Sequence, residues 1–170
     1  MGFRWIFVAV LVQLLLLAPA RADELQQPAG RVILEVSGKI GVTNTVDSIA
    51  EFDLSMLDSL PQTHFRTSTI WTNGVHEFSG VELVVLLDAL DADGTSLVMT
   101  ALNDYAIDMP TSEAVEGGPI LATRVDGEPL SVREKGPIWL VFPFDQKPEY
   151  KTEVTYSRSI WQMKTIRVED

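Results

Sequence analysis

The chain opens its patterned region with Val32-Ile33-Leu34-Glu35-Val36, a β-branched and aliphatic run closed by Ser37-Gly38, which predicts a strand. Thr43–Asp47 is a second candidate strand. Asp53 stands where an N-cap belongs for a short helix over Leu54–Leu60, which Pro61 stops. Phe65–Trp71 is again strand-like, Thr72-Asn73-Gly74 is a hairpin signal, and Val75–Phe78 returns. Ser79-Gly80-Val81-Glu82 fits a capping box, with Ser79 as N-cap and Glu82 three residues on. It leads into Leu83–Leu90, apolar nearly all round, which predicts a mostly buried helix ended by Asp91-Ala92-Asp93-Gly94.

Leu97–Leu102 and Tyr105–Met109 read as strands on either side of Asn103-Asp104. Pro110–Glu113 opens one helical turn, which ends at Gly117-Gly118. Ile120–Val125, the Asp126-Gly127 turn and Ile138–Phe142 continue the strand pattern. Tyr150–Tyr156 has helical character, and Trp161–Val168 is a final strand. Many short strands with a few segregated helices predict an α+β fold of mixed sheets, not an alternating βαβ layout.

The first 22 residues stand apart. Met1–Arg4 carries one positive charge, Trp5–Leu17 is apolar apart from Gln13, and Ala20-Arg21-Ala22 precedes Asp23-Glu24. This is the pattern of a secretory signal peptide cleaved after Ala22. The apolar run is shorter than the ~20 residues of a spanning helix. Residues 1–22 are therefore expected to be a signal peptide, 23–30 a flexible leader and 31–170 one folded domain. The expected location is periplasmic or secreted.

Composition removes whole classes of chemistry. The chain has 170 residues, 13 Lys and Arg, 24 Asp and Glu, two His and no Cys. Without Cys there is no disulfide framework, zinc–thiolate site, iron–sulfur cluster, cysteine nucleophile or lipidated N-terminal cysteine. Losing Arg4 and Arg21 with the leader leaves 11 basic residues against 24 acidic ones, a net charge of −13. That balance argues against nucleic acid as a partner.

Other motifs are weak. His64 and His76 lie twelve apart across the expected hairpin, without His-x-x-x-His spacing. Asp91-Ala92-Asp93-Gly94 starts like a calcium loop but lacks the third acidic ligand, and Leu102 occupies the closing Glu position. No Gly-x-Ser-x-Gly, phosphate loop or dinucleotide fingerprint is present.

Two features remain. Asn103-Asp104-Tyr105 forms a corner between strands. It fits a tight turn with local side-chain hydrogen bonds; the alternative is polar groups at the lip of a pocket. Arg124, Arg133, Lys135, Lys147, Lys151 and Arg158 gather in the C-terminal third, near Tyr156-Ser157-Arg158-Ser159-Ile160-Trp161. They suit either an anion site or surface pairing with nearby carboxylates.

An ordered set of segments carries a family resemblance. It comprises Phe78-Ser79-Gly80-Val81-Glu82-Leu83-x-x-Leu86-Leu87, Ala101-Leu102-Asn103-Asp104-Tyr105, Ile120-Leu121-Ala122-x-x-x-Asp126-Gly127-x-Pro129-Leu130, Gly136-Pro137-Ile138-Trp139-Leu140-Val141-x-Pro143 and Trp161-x-x-x-x-Ile166. Over roughly Arg31–Val168 this resembles the molybdopterin-binding domain of the sulfite oxidase family, in its short, exported, single-domain branch. The resemblance implies a mixed α+β fold and, in the enzymes, a molybdenum–pterin cofactor held by a cysteine thiolate on the strand before the Phe-x-Gly helix. Here that strand, Phe65–Trp71, has no cysteine, and the corresponding position falls near Thr69 to Trp71. A threonine hydroxyl is a poor substitute for a soft thiolate.

The expected role is thus a non-redox binding or accessory module, with no cofactor; the alternative is an oxidoreductase that holds molybdopterin without a thiolate. The expected cleft is bordered by Arg66, Ser68, Thr69 and Trp71, by Asn103, Asp104 and Tyr105, and by Arg158 and Trp161. Such aromatics and arginines suit a small planar or anionic ligand. A membrane-bound sensor or partner protein is the expected receiver of ligand occupancy.

Overall fold

A computed structural model describes residues 25–170. The expected signal peptide lies outside the described residues. Residues 25–30 of the expected leader are tied down: Asn44 Nδ2 donates to the Gln26 carbonyl at 2.7 Å, Gly30 N donates to Asp53 Oδ2 at 2.6 Å, and Leu25 packs on the core.

The architecture is α+β, with two sheets and a few short helices. Leu34–Gly38 (β1) and Ala50–Phe52 (β2) begin the first sheet; Gln62–Ser68 (β3) and Val75–Glu82 (β4) begin the second. Ser96–Ala101 (β5), Ala106–Pro110 (β6) and Met163–Glu169 (β10) complete the first, in the order β2-β1-β10-β5-β6. Its one parallel pair is β1 with β10. In β5 and β6 alternate residues are buried, so each strand sets one face toward the interior.

Ile120–Val125 (β7), Glu128–Pro129 (β8) and Trp139–Val141 (β9) complete the second sheet, where β8 and β9 share the far edge of β7. Ile120–Thr123 and all of β9 are buried, the signature of strands covered on both faces. Asp126 and Gly127, both at positive φ, close a two-residue hairpin in which Val125 pairs with Glu128.

Leu54–Ser59 (α1) starts where the sequence puts it: Asp53 Oδ1 accepts from Met56 N at 2.9 Å. Leu83–Ala89 (α2) does not begin with the expected capping box. β4 runs through Glu82, and Ser79 pairs with Arg124 in the ladder. The Glu82 carboxylate instead accepts from Thr63 Oγ1 at 2.9 Å and Gly117 N at 3.1 Å. Gly80 sits at the register shift of this ladder, where a Cβ would lie 1.9 Å from the Leu121 carbonyl oxygen.

Thr43–Asp47 is not a strand. Asn44 borders β2 by mimicry: its side chain accepts from Glu51 N and donates to Glu51 O, both at 2.8 Å. The Thr72-Asn73-Gly74 signal falls within a longer connection, residues 69–74, between β3 and β4. Glu153–Arg158 (α3), capped by Thr152, follows a 3-10 turn at Pro148–Tyr150.

A large core joins the first sheet to α1 and α2. A smaller one, Phe65, Phe78, Ile120, Ala122, Trp139 and Val141, lines the second sheet. Trp71 packs against both.

Candidate functional site

Three segments converge beside Trp71. The connection after β3 carries Trp71 itself. The corner between β5 and β6 carries Asn103 and Tyr105. The end of α3 and the stretch before β10 supply Tyr156, Ser157, Ser159, Ile160 and Trp161. Together they line an open cleft of about 400 Å³.

Its wall is a cluster of aromatic rings in edge-to-face contact. Trp71 lies 5.7 Å from Trp161 and 5.9 Å from both Tyr156 and Trp139, centroid to centroid. Such pairs contribute beyond the area they bury. Trp139 is the fixed member: it is 1% exposed, bridges to Trp161 through the backbone, and donates Nε1–H to the Ser159 carbonyl at 3.1 Å. Trp161 is 36% exposed and Tyr105 51%, so the rings grade from buried to open. The Lys135 ammonium lies 4.8 Å from the Trp161 ring centre and 5.6 Å from that of Trp139.

Of the residues expected at the cleft, Trp71, Asn103, Tyr105 and Trp161 line it. The corner is both a turn and a lip. Asp104 takes positive φ, Asn103 Oδ1 accepts from Tyr105 N at 3.2 Å, and Tyr105 Oη reaches the Ser157 carbonyl at 3.5 Å. Asp104 itself turns away to Lys164 Nζ at 2.7 Å, which holds its carboxyl below the usual range.

The other expected residues do not line it. Arg158, mostly buried, pairs with Glu113 and donates Nε–H to the Asp108 carbonyl at 3.3 Å. Arg66 is exposed on β3 opposite Glu77. Ser68 is held by Asp145, whose carboxylate accepts from Ser68 N at 2.5 Å and Ser68 Oγ at 2.9 Å. Thr69 closes its own turn: its hydroxyl is 2.8 Å from that of Thr72 and accepts from Trp71 N at 3.1 Å.

The basic residues are not gathered either. Arg124 forms a two-point pair with Asp58 at 2.6 and 2.8 Å, and Lys151 pairs with Asp145 at 2.8 Å.

Tyr156, Ser157 and Ser159 are not among the residues expected at the cleft; the signal that could find them is their place in the Tyr156–Trp161 run, beside Arg158 and the exposed Trp161. The helix end turns that arginine to Glu113 and leaves its neighbours at the cleft.

The residues present do not fit a thiolate-bound molybdenum centre. The chain has no cysteine, the hydroxyl nearest the expected ligand position is committed to its own turn, and no group of three or more His, Asp or Glu assembles among the described residues. His76 bonds Asp126 at 2.6 Å and the Asn73 carbonyl at 2.9 Å. No helix among the described residues is long and apolar enough to cross a membrane.

No family model matches the chain, and no curated protein matches it. Among solved structures it is similar to the sulfane dehydrogenase SoxCD from Paracoccus pantotrophus, with a TM-score of 0.59 and 19% identity. The similarity covers 81% of this chain and 38% of that one. At this identity it is a likeness of fold, and this chain spans well under half of its neighbour's length.

Proposed function

We propose that the protein is an exported, non-redox ligand-binding or accessory module on a sulfite-oxidase-type fold. The fold likeness to a sulfane dehydrogenase and the ordered sequence pattern support a distant relation to the molybdopterin oxidoreductases. The observation that carries the departure from their chemistry is the aromatic cleft itself. It is walled by Trp71, Tyr156 and Trp161 and edged by an amide and hydroxyls, without a soft metal donor. Such a site binds by stacking and a few directional hydrogen bonds. Tyr105 and Ser157 meet across its mouth, so a ligand there touches the β5–β6 corner and the end of α3 at once. A ligand bridging those two elements is the feature that supports a role in passing occupancy to a membrane-bound partner.

Export rests on the N-terminal pattern. Material recovered from the periplasm of a molybdenum-competent bacterial host should begin at Asp23 by mass, and should carry neither stoichiometric molybdenum nor pterin fluorescence. Protein isolated with one molybdenum per chain and turning over an oxo-transfer substrate would establish the other reading, an oxidoreductase holding its cofactor without a thiolate.

A further inference from the structure

The chain carries 24 acidic residues, yet no carboxylate lines the cleft. Two of the acids nearest it are paired: Asp104, between two lining residues, with Lys164, and Glu113 with Arg158. Behind the wall, in a neighbouring pocket that Glu128 and Glu134 also line, Lys135 makes no salt bridge among the described residues and rests on Trp161 instead. The lining residues also leave donors without acceptors. The Trp161 indole N–H, the Asn103 amide N–H and the Tyr156 hydroxyl make no hydrogen bond among the described residues, whereas Trp139 N–H is satisfied by Ser159.

An aromatic box open to a cation would present ring faces and carboxylates. This one presents ring faces, unpaired donors and a positive charge at its back. We infer that the cleft takes a planar aromatic carboxylate, stacked against the Trp71–Trp161 wall, its acceptors turned to these donors and its charge balanced by Lys135. This rests on the cleft being a ligand site and goes further by fixing the ligand's charge and acceptor character. The lysine acts over several ångströms through half-exposed surroundings, so its contribution is a modest one.

Three probes of one shape separate charge from stacking: 2-naphthoate, 2-naphthamide and (2-naphthylmethyl)ammonium. They are titrated into the full exported chain by calorimetry, with the indole N–H resonances of Trp71 and Trp161 read in parallel by NMR. Naphthoate is expected to bind tightest, roughly three- to tenfold over the amide, with the ammonium weakest. Lys135→Gln should bring the naphthoate-to-amide ratio close to one while leaving amide binding intact. Trp161→Ala should abolish binding of both.

Preference for the ammonium, or an anion-to-amide ratio unchanged in K135Q, would overturn the ligand class while leaving the cleft a binding site. Failure of all three probes to move the Trp161 indole resonance would overturn the ligand class and the binding reading together.

Discussion

His76 shows how little distance separates a structural ion pair from a metal ligand. It faces Asp126 at 2.6 Å and takes a second bond to the Asn73 carbonyl, so both ring nitrogens are spent on holding the residue 69–74 connection to the β7–β8 turn. The hydrogen bond that His76 donates to the Asp126 carboxylate raises the pKa of His76, and that of Asp126 falls in return. A raised folded-state value means that the contribution is whole below the ordinary histidine value of about 6.5 and is lost as pH climbs through the raised one. Denaturant titrations from pH 6 upward should therefore show stability declining, and H76Q should flatten that decline. The pair is partly exposed, so the effect should stay below about 1 kcal/mol.

Two carboxylates act on the acid side. Asp145, held by Lys151 and then Ser68, and Asp53, held by the Met56 amide and then Ser55, are both lowered to about 2. Depressed values stabilise the fold above the ordinary carboxylate range, and that contribution is lost as pH falls from about 4 toward about 2. D145N should weaken the protein at neutral pH and shrink its acid-unfolding limb. The double variant D53N/D145N should shrink it further, because the two sites share no partner. Circular dichroism across pH 2–7 reads both.

At the scale of elements, β4 is where local pattern and tertiary structure part. Ser79-Gly80-Val81-Glu82 satisfies the capping-box rule, yet pairing with β3 and β7 on both sides keeps the backbone extended to Glu82. A capping box yields two hydrogen bonds; a central strand position yields ladder bonds on two flanks, and the ladder wins. Gly80 records that outcome, since any Cβ there meets the Leu121 carbonyl oxygen at 1.9 Å. Gly80→Ala should cost about 1–3 kcal/mol as an overpacking change, measurable as a fall in denaturation midpoint without a change in the strand content of the folded protein. Tolerance of alanine there would contradict the close approach of β4 and β7.

Elements with self-contained signals were legible beforehand: Asp53 capping α1, Asp126-Gly127 closing its hairpin, and Asn103 bonding its own turn. What was hidden depended on partners distant in sequence. Nothing near Asn44 announces that its amide will substitute for a strand neighbour of Glu51, and nothing near Arg158 reveals Glu113, 45 residues away. The cleft follows the same division. Trp71 and Trp161 lie together in one aromatic cluster, while Arg158 turns to Glu113 and Arg66 stays exposed on β3.

For the molecule as a whole, the aromatic cluster serves two purposes that substitution can separate. Trp139 belongs to the core of the second sheet and bridges to Trp161 just before β10, so it couples the two sheets. Trp161 shares those ring contacts but is 36% exposed and lines the cleft. Trp139→Ala removes a buried indole and its hydrogen bond to Ser159, and should cost about 3–5 kcal/mol. Trp161→Ala removes a ring that is already more than one-third in water and makes no indole hydrogen bond among the described residues, and should cost less, while removing the surface on which a planar molecule would stack. Thermal unfolding and probe titration on the two variants therefore give opposite orders: W139A the less stable, W161A the weaker binder for its remaining stability. If W161A instead destabilised the chain as severely as W139A, the exposed ring would be framework, and the cleft would be a gap between the sheets with no ligand of its own.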